Sequence, residues 1–420
     1  MLKTTQSTKL AIFGAAPVFT QKLHVGRPNI GDRDQLMERI NDVLDRKWFS
    51  NNGKYVQEFE KRLAEFTGAK HCIAMCNGTI ALEIVIRALG LTGEVIVPSF
   101  TFVATAHALQ WQEITPVFCD IDPETHTLDP AQVERLITPR TSGIMGVHVW
   151  GRPCQIDELT ELAQRRNLKL AFDASHAVGC SYKGRMLGNF GEAEVFSFHA
   201  TKFLNAFEGG AVVTNNDELA AKICLMKNFG FGPGYDNVIY VGTNGKMNEM
   251  SAAMGVTGLE SVDDFIATNY RNYKQYQAEL RDVPGVRLVT YNEAEKNNYQ
   301  YIILEIDAWE AGISRNELVK VLYAENVLAR RYFYPGCHKM EPYRSYFPNA
   351  HLLLPETEKL TEKVMSLPTG TGVTPEDISK ICGIIRLAIQ DSDRVRRALQ
   401  DELLATVPTG KQLAAEITVR

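Results

Sequence analysis

Two segments of this sequence each carry one ionisable side chain at the end of an apolar run. Residues 168–176 read Leu-Lys-Leu-Ala-Phe-Asp-Ala-Ser-His and place Asp173 after a strand-like stretch, and residues 194–202 read Glu-Val-Phe-Ser-Phe-His-Ala-Thr-Lys and end at Lys202. A pyridoxal ring acts as an electron sink when a carboxylate keeps its pyridinium nitrogen protonated and a lysine amine holds its aldehyde. We therefore predict that Asp173 and Lys202 are the catalytic residues of a pyridoxal 5'-phosphate site.

Taken separately, both residues have ordinary explanations. An aspartate after an apolar strand is often a helix cap, and most lysines are solvated surface charges. The surroundings of Lys202 favour the chemical interpretation, because His199, Thr201 and Asn205 stand close to it, before a glycine pair and another strand-like run at 211–214. Few surface loops combine these features.

Residues 197–214, Ser-Phe-His-Ala-Thr-Lys-Phe-Leu-Asn-Ala-Phe-Glu-Gly-Gly-Ala-Val-Val-Thr, resemble the signature of the DegT/DnrJ/EryC1/StrS family of sugar aminotransferases. Further matches extend over nearly the whole chain and lie at 51–60, 98–105, 242–249 and 366–369. The resemblance implies a fold-type I pyridoxal-phosphate enzyme that passes an amino group from an amino acid, L-glutamate by family habit, to a ketosugar. Lys202 would then shuttle the proton, while Asp173 keeps the ring nitrogen protonated.

The cofactor phosphate is expected at residues 76–82, Cys-Asn-Gly-Thr-Ile-Ala-Leu, where a turn of small residues runs into a predicted helix that extends to about residue 89. Free backbone amides at a helix start bind a phosphate dianion, although the same residues also form an ordinary Asn or Thr cap. The resemblance implies that the amides of Gly78 and Thr79 and the hydroxyl of Ser197 hold this phosphate.

The resemblance also implies contacts to the cofactor ring. Phe102 follows a predicted strand and is expected to stack on the pyridine face, the alternative being a core residue. His176 stands three residues after Asp173, at a family position close to the ring or its 3-hydroxyl, the alternative being a buried structural histidine.

Residues 242–255 resemble the family segment that crosses a dimer interface. Asn244 is therefore expected to contact the cofactor phosphate of a partner subunit, with Lys246 as a second candidate. Two complete sites would then require a homodimer. Without the resemblance, Asn244 and the following glycine are a turn, and Lys246 is a solvated charge.

For the acceptor, residues 23–32 and 329–338 resemble the family members that convert dTDP-4-keto-6-deoxy-D-glucose to dTDP-4-amino-4,6-dideoxy-D-glucose. A nucleotide diphosphate favours cations and its base favours an aromatic platform. The second segment offers both kinds of side chain, and a surface strand of mixed charge is the alternative. The candidate substrate-binding residues are Arg330, Arg331, Tyr332, Tyr334 and His338.

The motifs leave several related functions open. A 3-ketosugar or cyclitol aminotransferase would use the same cofactor residues. The family's sugar dehydratases carry His at the position of Lys202, so the lysine favours transamination. A non-catalytic sensor of cofactor or nucleotide sugar would bind these ligands without turnover.

Composition narrows the class of protein. With a net charge of −5, the chain has no basic excess for nucleic acid or an anionic membrane. Its eight cysteines lack Cys-x-x-Cys spacing, so we expect neither a disulfide framework nor a metal site. The sequence shows no signal-peptide pattern and no apolar run of about 18 residues, so we expect a cytoplasmic protein.

The candidate residues need a scaffold that brings strand ends together. Apolar runs at 94–97, 116–121, 143–149, 168–172 and 195–198 alternate with helical periodicity, as at 155–166, which predicts an α/β fold with a mostly parallel sheet. Loops at the ends of such strands are free to bind ligands.

The predicted domains are an N-terminal segment and large cofactor-binding domain at 1–260, a smaller α/β domain at 261–395, and a tail at 396–420 whose role the sequence does not reveal. In the C-terminal half we expect a long helical connection at about 250–280, a strand at 301–306 and a helix at 315–325. From about residue 391 we expect a helix that ends before the Pro-Thr-Gly at 408–410.

Overall fold

A computed structural model describes residues 9–234 and 236–406 of the chain, with side chains to residue 400. The strands are β1 (Leu23–His24), β2 (His71–Met75), β3 (Glu94–Pro98), β4 (Thr115–Cys119), β5 (Thr141–Val147), β6 (Lys169–Asp173), β7 (Ser181–Tyr182), β8 (Arg185–Met186), β9 (Ala193–Ser197), β10 (Gly210–Thr214), β11 (Val286–Leu288), β12 (Ile302–Ile306), β13 (Val327–Leu328) and β14 (Val364–Leu367).

The helices are α1 (Arg33–Arg46), α2 (Lys54–Thr67), α3 (Gly78–Ala88), α4 (Ala104–Gln110), α5 (Pro130–Leu136), α6 (Ile156–Arg166), α7 (Asp217–Met226), α8 (Glu249–Glu260), α9 (Val262–Leu280), α10 (Ala308–Ala311), α11 (Arg315–Ala324), α12 (Tyr343–Tyr346), α13 (Pro355–Lys363), α14 (Pro375–Gln390) and α15 (Ser392–Thr406). Short 3-10 helices lie at Ala11–Phe13, Val149–Gly151, Cys337–Lys339 and Ala350–Leu353.

The largest sheet has seven strands in the order β2-β10-β9-β6-β5-β3-β4. All neighbours from β9 to β4 are parallel, and β10 alone runs antiparallel to the strands on both sides of it. Val95, Ile96 and Val97 are buried side by side, as expected for a strand with helices on both faces of its sheet. The predicted α/β fold with a mostly parallel sheet is confirmed.

A second, antiparallel sheet has the order β11-β12-β14 and belongs to the C-terminal half. Ile302, Leu304 and Ile306 point into a core that it shares with α9, α11 and α14. On its other face, Ile303 packs against the aromatic cluster around Trp150, which adjoins the large sheet. The small sheet therefore helps to close one side of the space at the ends of β5 and β6.

The N-terminal segment packs against the C-terminal half. β1 pairs in parallel with β13, and Leu10, Phe19 and Leu23 lie in the same apolar core as α11 and α14. The domain limits predicted at 260 and 395 stay a prediction, but these three residues contact the core of the smaller predicted domain rather than that of the larger.

Most predicted elements are found within a few residues of their expected limits. The helical connection at 250–280 differs, because it is divided at Ser261 into α8 and α9. The predicted helix of the tail corresponds to α15, and the remainder of the tail lies outside the described residues. In the described part of the chain, no helix has the length and apolarity that a membrane crossing requires.

Candidate active site

A cavity of about 350 Å³ lies where the carboxyl ends of β6 and β9 meet the start of α3. Asp173 is the last residue of β6 and Ser197 is the last of β9. Side chains from the C-terminal half, Tyr301, Arg330, Tyr332 and Phe333, also line the cavity. The predicted site residues that line it are Gly78, Thr79, Phe102, Asp173, His176, Ser197, Lys202, Arg330 and Tyr332.

The start of α3 forms the end of the cavity that suits a phosphate. Asn77 is its N-cap, and the Asn77 side chain accepts a hydrogen bond of 2.8 Å from the amide of Ile80. Among the described residues, the amides of Gly78 and Thr79 have no acceptor. A Cβ atom at Gly78 would lie 3.2 Å from the Cβ of Ser197, so glycine lets the helix start approach the serine closely. Two free amides and a hydroxyl therefore face one point.

Asp173 also lines this cavity and is almost fully buried, yet its carboxylate accepts hydrogen bonds from two donors. Thr105 donates a hydrogen bond of 2.8 Å to Oδ2, and the amide of Ser175 donates one of 3.1 Å to Oδ1. Thr105 also lies 3.0 Å from the hydroxyl of Thr101. These donors stabilise an ionised carboxylate without using all of its acceptor capacity, so it can still accept from a pyridinium N–H.

Lys202 lies in the loop between β9 and β10 and lines the cavity. Burial lowers the pKa of its amine to about 8, and the nearby carboxylate of Asp173 opposes this shift. Near physiological pH the neutral form is therefore still a minority, but a far larger one than for an ordinary lysine with a pKa of 10.5. A neutral amine can attack an aldehyde and can accept a proton, as the predicted role requires.

His176 is buried in the cavity wall. Burial, and next the positive charge of Lys202, hold the pKa of this imidazole well below its usual range. The main-chain amide of Trp150 donates a hydrogen bond of 3.2 Å to Nδ1, and the ring centroid lies 4.5 Å from that of Tyr301. By contrast, the ring of Phe102 is 59% exposed at the cavity surface, so its face is available for stacking on a flat ligand.

These residues match the functional groups of pyridoxal 5'-phosphate. Free amides and a hydroxyl suit the phosphate, the Asp173 carboxylate suits the ring nitrogen, and the Lys202 amine suits the aldehyde. A more open depression of about 470 Å³ lies elsewhere, between the start of α1 and the start of α9. Its ionisable lining residues in the described chain are Asp32, Glu260 and Asp264, which offer neither a nucleophile nor a phosphate site.

Only part of the predicted substrate segment reaches the cavity. Arg330 and Tyr332 line it, whereas Arg331 and Tyr334 lie outside. The guanidinium of Arg331 stacks on the ring of Tyr334 at 4.7 Å and donates to the side chain of Asn316. Their contacts are therefore with each other and with α11, and we no longer propose them as substrate contacts.

The structure also gives His338 a role different from the predicted one. Its side chain is buried, with Nδ1 at 2.7 Å from the hydroxyl of Ser99 and Nε2 at 2.6 Å from a carboxylate oxygen of Glu358. Because both ring nitrogens already have partners, His338 joins β3 to α13 and is not available to a substrate.

Asn244 is exposed and does not line the cavity of its own subunit. Its segment forms bridges to residues 75 and 228 on the outside of the large sheet. Lys246, the second candidate, instead stacks over the ring of Phe229 at 4.7 Å. The role of Asn244 at the phosphate of a partner subunit stays a prediction.

Several functional positions were not assigned a role from the sequence. Thr105 donates a hydrogen bond to Asp173, and the Trp150 amide donates one to His176. Thr105 is the last residue of the 98–105 match but was given no role there, and Trp150 lies in none of the matched segments. Other residues that were given no role also line the cavity, among them Thr101, His199, Glu208 and Tyr301. His199 and Glu208 flank Lys202 in sequence, which was the available signal, whereas the other positions depend on tertiary contacts.

Comparisons with known proteins agree with this geometry. A family model described as the DegT/DnrJ/EryC1/StrS aminotransferase family matches residues 31–386, a range that includes every residue lining the cavity. A dTDP-4-amino-4,6-dideoxy-D-glucose transaminase of Shigella dysenteriae is 36% identical over 364 residues, which are 87% of this chain and 98% of that protein. A GDP-perosamine synthase of Caulobacter vibrioides is 36% identical over 373 residues, or 86% of this chain and 96% of that protein.

Among solved structures, the crystal structure of DesI in the presence of its TDP-sugar product superposes with a TM-score of 0.89 at 49% sequence identity. The match covers 94% of this chain and 99% of that one. The similarity therefore extends over both halves of the molecule that form the cavity.

Proposed function

The chain belongs to the DegT/DnrJ/EryC1/StrS aminotransferase family, and we propose that it converts dTDP-4-keto-6-deoxy-D-glucose to dTDP-4-amino-4,6-dideoxy-D-glucose, with pyridoxal 5'-phosphate as cofactor and L-glutamate as amino donor. The observation that carries this proposal is one cavity in which free helix amides, the Asp173 carboxylate and the Lys202 amine lie together. The similarity to DesI, crystallised with its TDP-sugar product, supports the choice of nucleotide.

In this proposal each residue has a defined task. The amides of Gly78 and Thr79 and the hydroxyl of Ser197 hold the phosphate, and Phe102 stacks on the ring. The cofactor itself supplies the electron sink that makes the donor α-carbon acidic. Asp173 keeps the proton on the ring nitrogen.

Lys202 acts as the base that removes the α-proton of the donor. In the second half of the reaction it returns a proton to the sugar carbon that receives nitrogen. Its pKa of about 8 allows both directions of transfer near neutral pH. Arg330, at the cavity edge and without a salt bridge in the described residues, is proposed to contact an anionic group of a substrate.

The assignment is tested with purified protein, pyridoxal phosphate, L-glutamate and dTDP-4-keto-6-deoxy-D-glucose, by following 2-oxoglutarate and identifying the sugar by mass and NMR. An amine at C4 supports the proposal, and an amine at C3 contradicts it. A matched reaction with a GDP-linked 4-ketosugar tests the nucleotide, because a GDP-perosamine synthase is equally identical in sequence. If glutamate produces 2-oxoglutarate but neither acceptor is aminated, the acceptor is misassigned. If binding occurs without any turnover, a sensor is favoured.

We further propose that the active unit is a homodimer in the cytoplasm. Large apolar side chains are exposed near the segment that carries Asn244, and these are Trp48, Phe49, Phe229, Ile239 and Val241. Phe49 is joined to this segment by a hydrogen bond of 2.9 Å from the Glu249 amide to its carbonyl. Exposed apolar groups beside a predicted site residue that does not line the cavity of its own subunit suit an interface with a second copy.

Subunit mixing tests whether Asn244 acts across the dimer. Lys202→Ala and Asn244→Ala are each expected to be impaired as homodimers. In a mixed dimer, one site combines the intact Lys202 of one subunit with the intact Asn244 of the other. Recovery of activity in the mixed dimer, up to about half of the wild-type value per dimer, supports shared sites, whereas no recovery contradicts them.

A further inference from the structure

Trp150 has a backbone conformation that is unusual for its size. It is completely buried, and its φ of 63° lies in the left-handed region that large side chains rarely occupy. A strained residue of this kind persists only when the surrounding structure determines its conformation. The residue stands three positions after the end of β5 and packs against residues of the cavity wall, such as Tyr301 and Phe333.

This conformation directs two N–H groups of Trp150 at two histidines. Its main-chain amide donates to Nδ1 of His176 at 3.2 Å, and its indole Nε1–H donates to Nδ1 of His126 at 3.2 Å. Amide and indole nitrogens are donors only, so each Nδ1 must carry a lone pair. A neutral imidazole with a free Nδ1 holds its proton on Nε2. The contacts therefore specify the same tautomer for both rings.

The network continues away from the cavity to a carboxylate. His126 is fully buried, and its Nε2 lies 3.2 Å from Oε1 of Glu305. The geometry does not meet the criteria of a hydrogen bond, so the contact is electrostatic. Glu305 also accepts a hydrogen bond of 2.6 Å from Arg287. Although burial raises the pKa of Glu305, the contacts with His126 and Arg287 lower it below its usual range, which keeps the carboxylate charged. A charged carboxylate beside Nε2 favours the proton on that nitrogen of His126.

At the other end, the network leaves one group of His176 free. In the described part of the chain no residue forms a hydrogen bond with its Nε2, and the ring lines the cavity. Because Nδ1 is occupied by the Trp150 amide, Nε2–H is the polar group that this ring can present to a ligand. A ring fixed in this way offers a donor and cannot offer an acceptor.

We infer that Trp150 and His126 are positioning residues that hold His176 as its Nε2–H tautomer, so that a hydrogen-bond donor faces an oxygen atom on the ring of the bound cofactor. The identity of that ligand rests on the proposed function, but the tautomer is a property of the protein alone. Packing alone would not select this tautomer. The stacking of Trp150 on Phe333, at a centroid distance of 5.3 Å, is the same whichever nitrogen of His176 carries the proton.

The experiment measures the histidine tautomers by NMR of the cofactor-free, full-length protein, with isotope-labelled histidine nitrogens. The resonances of His176 are assigned as those missing from the spectrum of H176Q. The variant H126Q removes the acceptor at the Nδ1 position, while H126N places an amide oxygen there and also tolerates the positive φ of 63° at this position. The two variants therefore differ in whether the indole N–H of Trp150 has a partner, and also in how readily residue 126 adopts its positive φ. W150F removes the same hydrogen bond without changing residue 126 and controls for this second difference.

We expect only the Nε2–H tautomer of His176 in the wild type and in H126N, and a second tautomer in H126Q at a population on the order of one tenth or more. A wild-type His176 with its proton on Nδ1 would overturn the inference, and a spectrum of H126Q equal to that of H126N would remove His126 from it. If H126Q does not fold, W150F removes the same hydrogen bond from the other side. A failed amination assay would refute the proposed function without changing these spectra.

Discussion

Thr105 and Asp173 are joined by a hydrogen bond of 2.8 Å between the threonine hydroxyl and Oδ2 of the carboxylate. The two residues come from α4 and from the end of β6, which are 68 residues apart along the chain. Both side chains are buried, so the bond is protected from water. It fixes the direction in which the remaining acceptor sites of Asp173 point.

Thr105→Val is expected to weaken cofactor binding by about tenfold with little effect on the fold, because valine keeps the volume but removes a donor to an ionised group, a contact worth about 1.5–3 kcal/mol. The dissociation constant is measured by absorbance titration of the cofactor-free protein. Thr101→Val is the matched control, since Thr101 contacts Thr105 rather than the carboxylate. An equal loss in both variants would contradict a specific role for the contact with Asp173.

Lys202 is expected to react with amine-selective reagents at a lower pH than an ordinary lysine. Its pKa is lowered to about 8 from 10.5, so in the cofactor-free protein the neutral, reactive form becomes the majority above pH 8 instead of above pH 10.5. Labelling at a series of pH values, followed by mass spectrometry of the Lys202 peptide, measures the midpoint. The well-exposed Lys61 in the same digest serves as the internal control.

Asp173→Asn refines this measurement. The carboxylate of Asp173 raises the pKa of Lys202 and partly opposes the effect of burial. Removal of its charge should therefore move the labelling midpoint further down. Two results would contradict a pKa of Lys202 that is lowered by burial and raised by Asp173. One is a labelling midpoint for wild-type Lys202 near that of Lys61, and the other is a higher midpoint in Asp173→Asn than in the wild type.

His176→Gln and His176→Asn are expected to have different effects. Glutamine places an amide donor near the position of Nε2, whereas asparagine places an acceptor near Nδ1 and retains the contact with the Trp150 amide. If the donor that faces the cavity is what matters, glutamine should keep cofactor affinity within about threefold and asparagine should lose about tenfold, a difference of one hydrogen bond. The reverse order, with asparagine the milder change, would indicate a structural role only.

Local sequence patterns were sufficient to predict the site residues that follow strands. Asp173 and Lys202 follow apolar runs that form β6 and β9, and a parallel sheet brings the carboxyl ends of its strands to one edge. Gly78 and Thr79 were found for a similar reason, because the start of α3 follows a turn of small residues. Each of these residues adjoins a strand or a helix whose type can be predicted from the sequence immediately around it.

Contacts between distant segments were not predictable in this way. The pairing of β1 with β13 joins the N-terminal segment to the C-terminal half, and nothing in either two-residue strand specifies its partner. His338 resembled a substrate residue because it stands near arginines and tyrosines in the sequence. Its ring is instead enclosed by Ser99 and Glu358, which are remote from it along the chain.

The start of α2 leads to a prediction about stability. The N-cap of α2 is Gly53, which has no side chain to accept from the first free amides of the helix. The carboxylate of Glu249, from the start of α8, takes this place and accepts hydrogen bonds of 2.8 Å from the Tyr55 amide and 3.1 Å from the Val56 amide. A Cβ atom at Gly53 would lie 2.5 Å from the Glu249 carboxyl carbon, so the glycine makes room for this cap.

Glu249→Ala is expected to lower the free energy of unfolding by about 2–4 kcal/mol, because it leaves two buried amides without acceptors and removes a negative charge from a helix N-terminus. Glu249→Gln keeps one acceptor oxygen and should cost only about half as much. Asp32→Ala, which removes the exposed cap of α1, is the control, with an expected cost of about 1 kcal/mol. Denaturant unfolding of the three variants provides the comparison. If Glu249→Ala cost no more than Asp32→Ala, the buried carboxylate would not be the cap of α2, and the close approach of α8 to Gly53 would need another explanation.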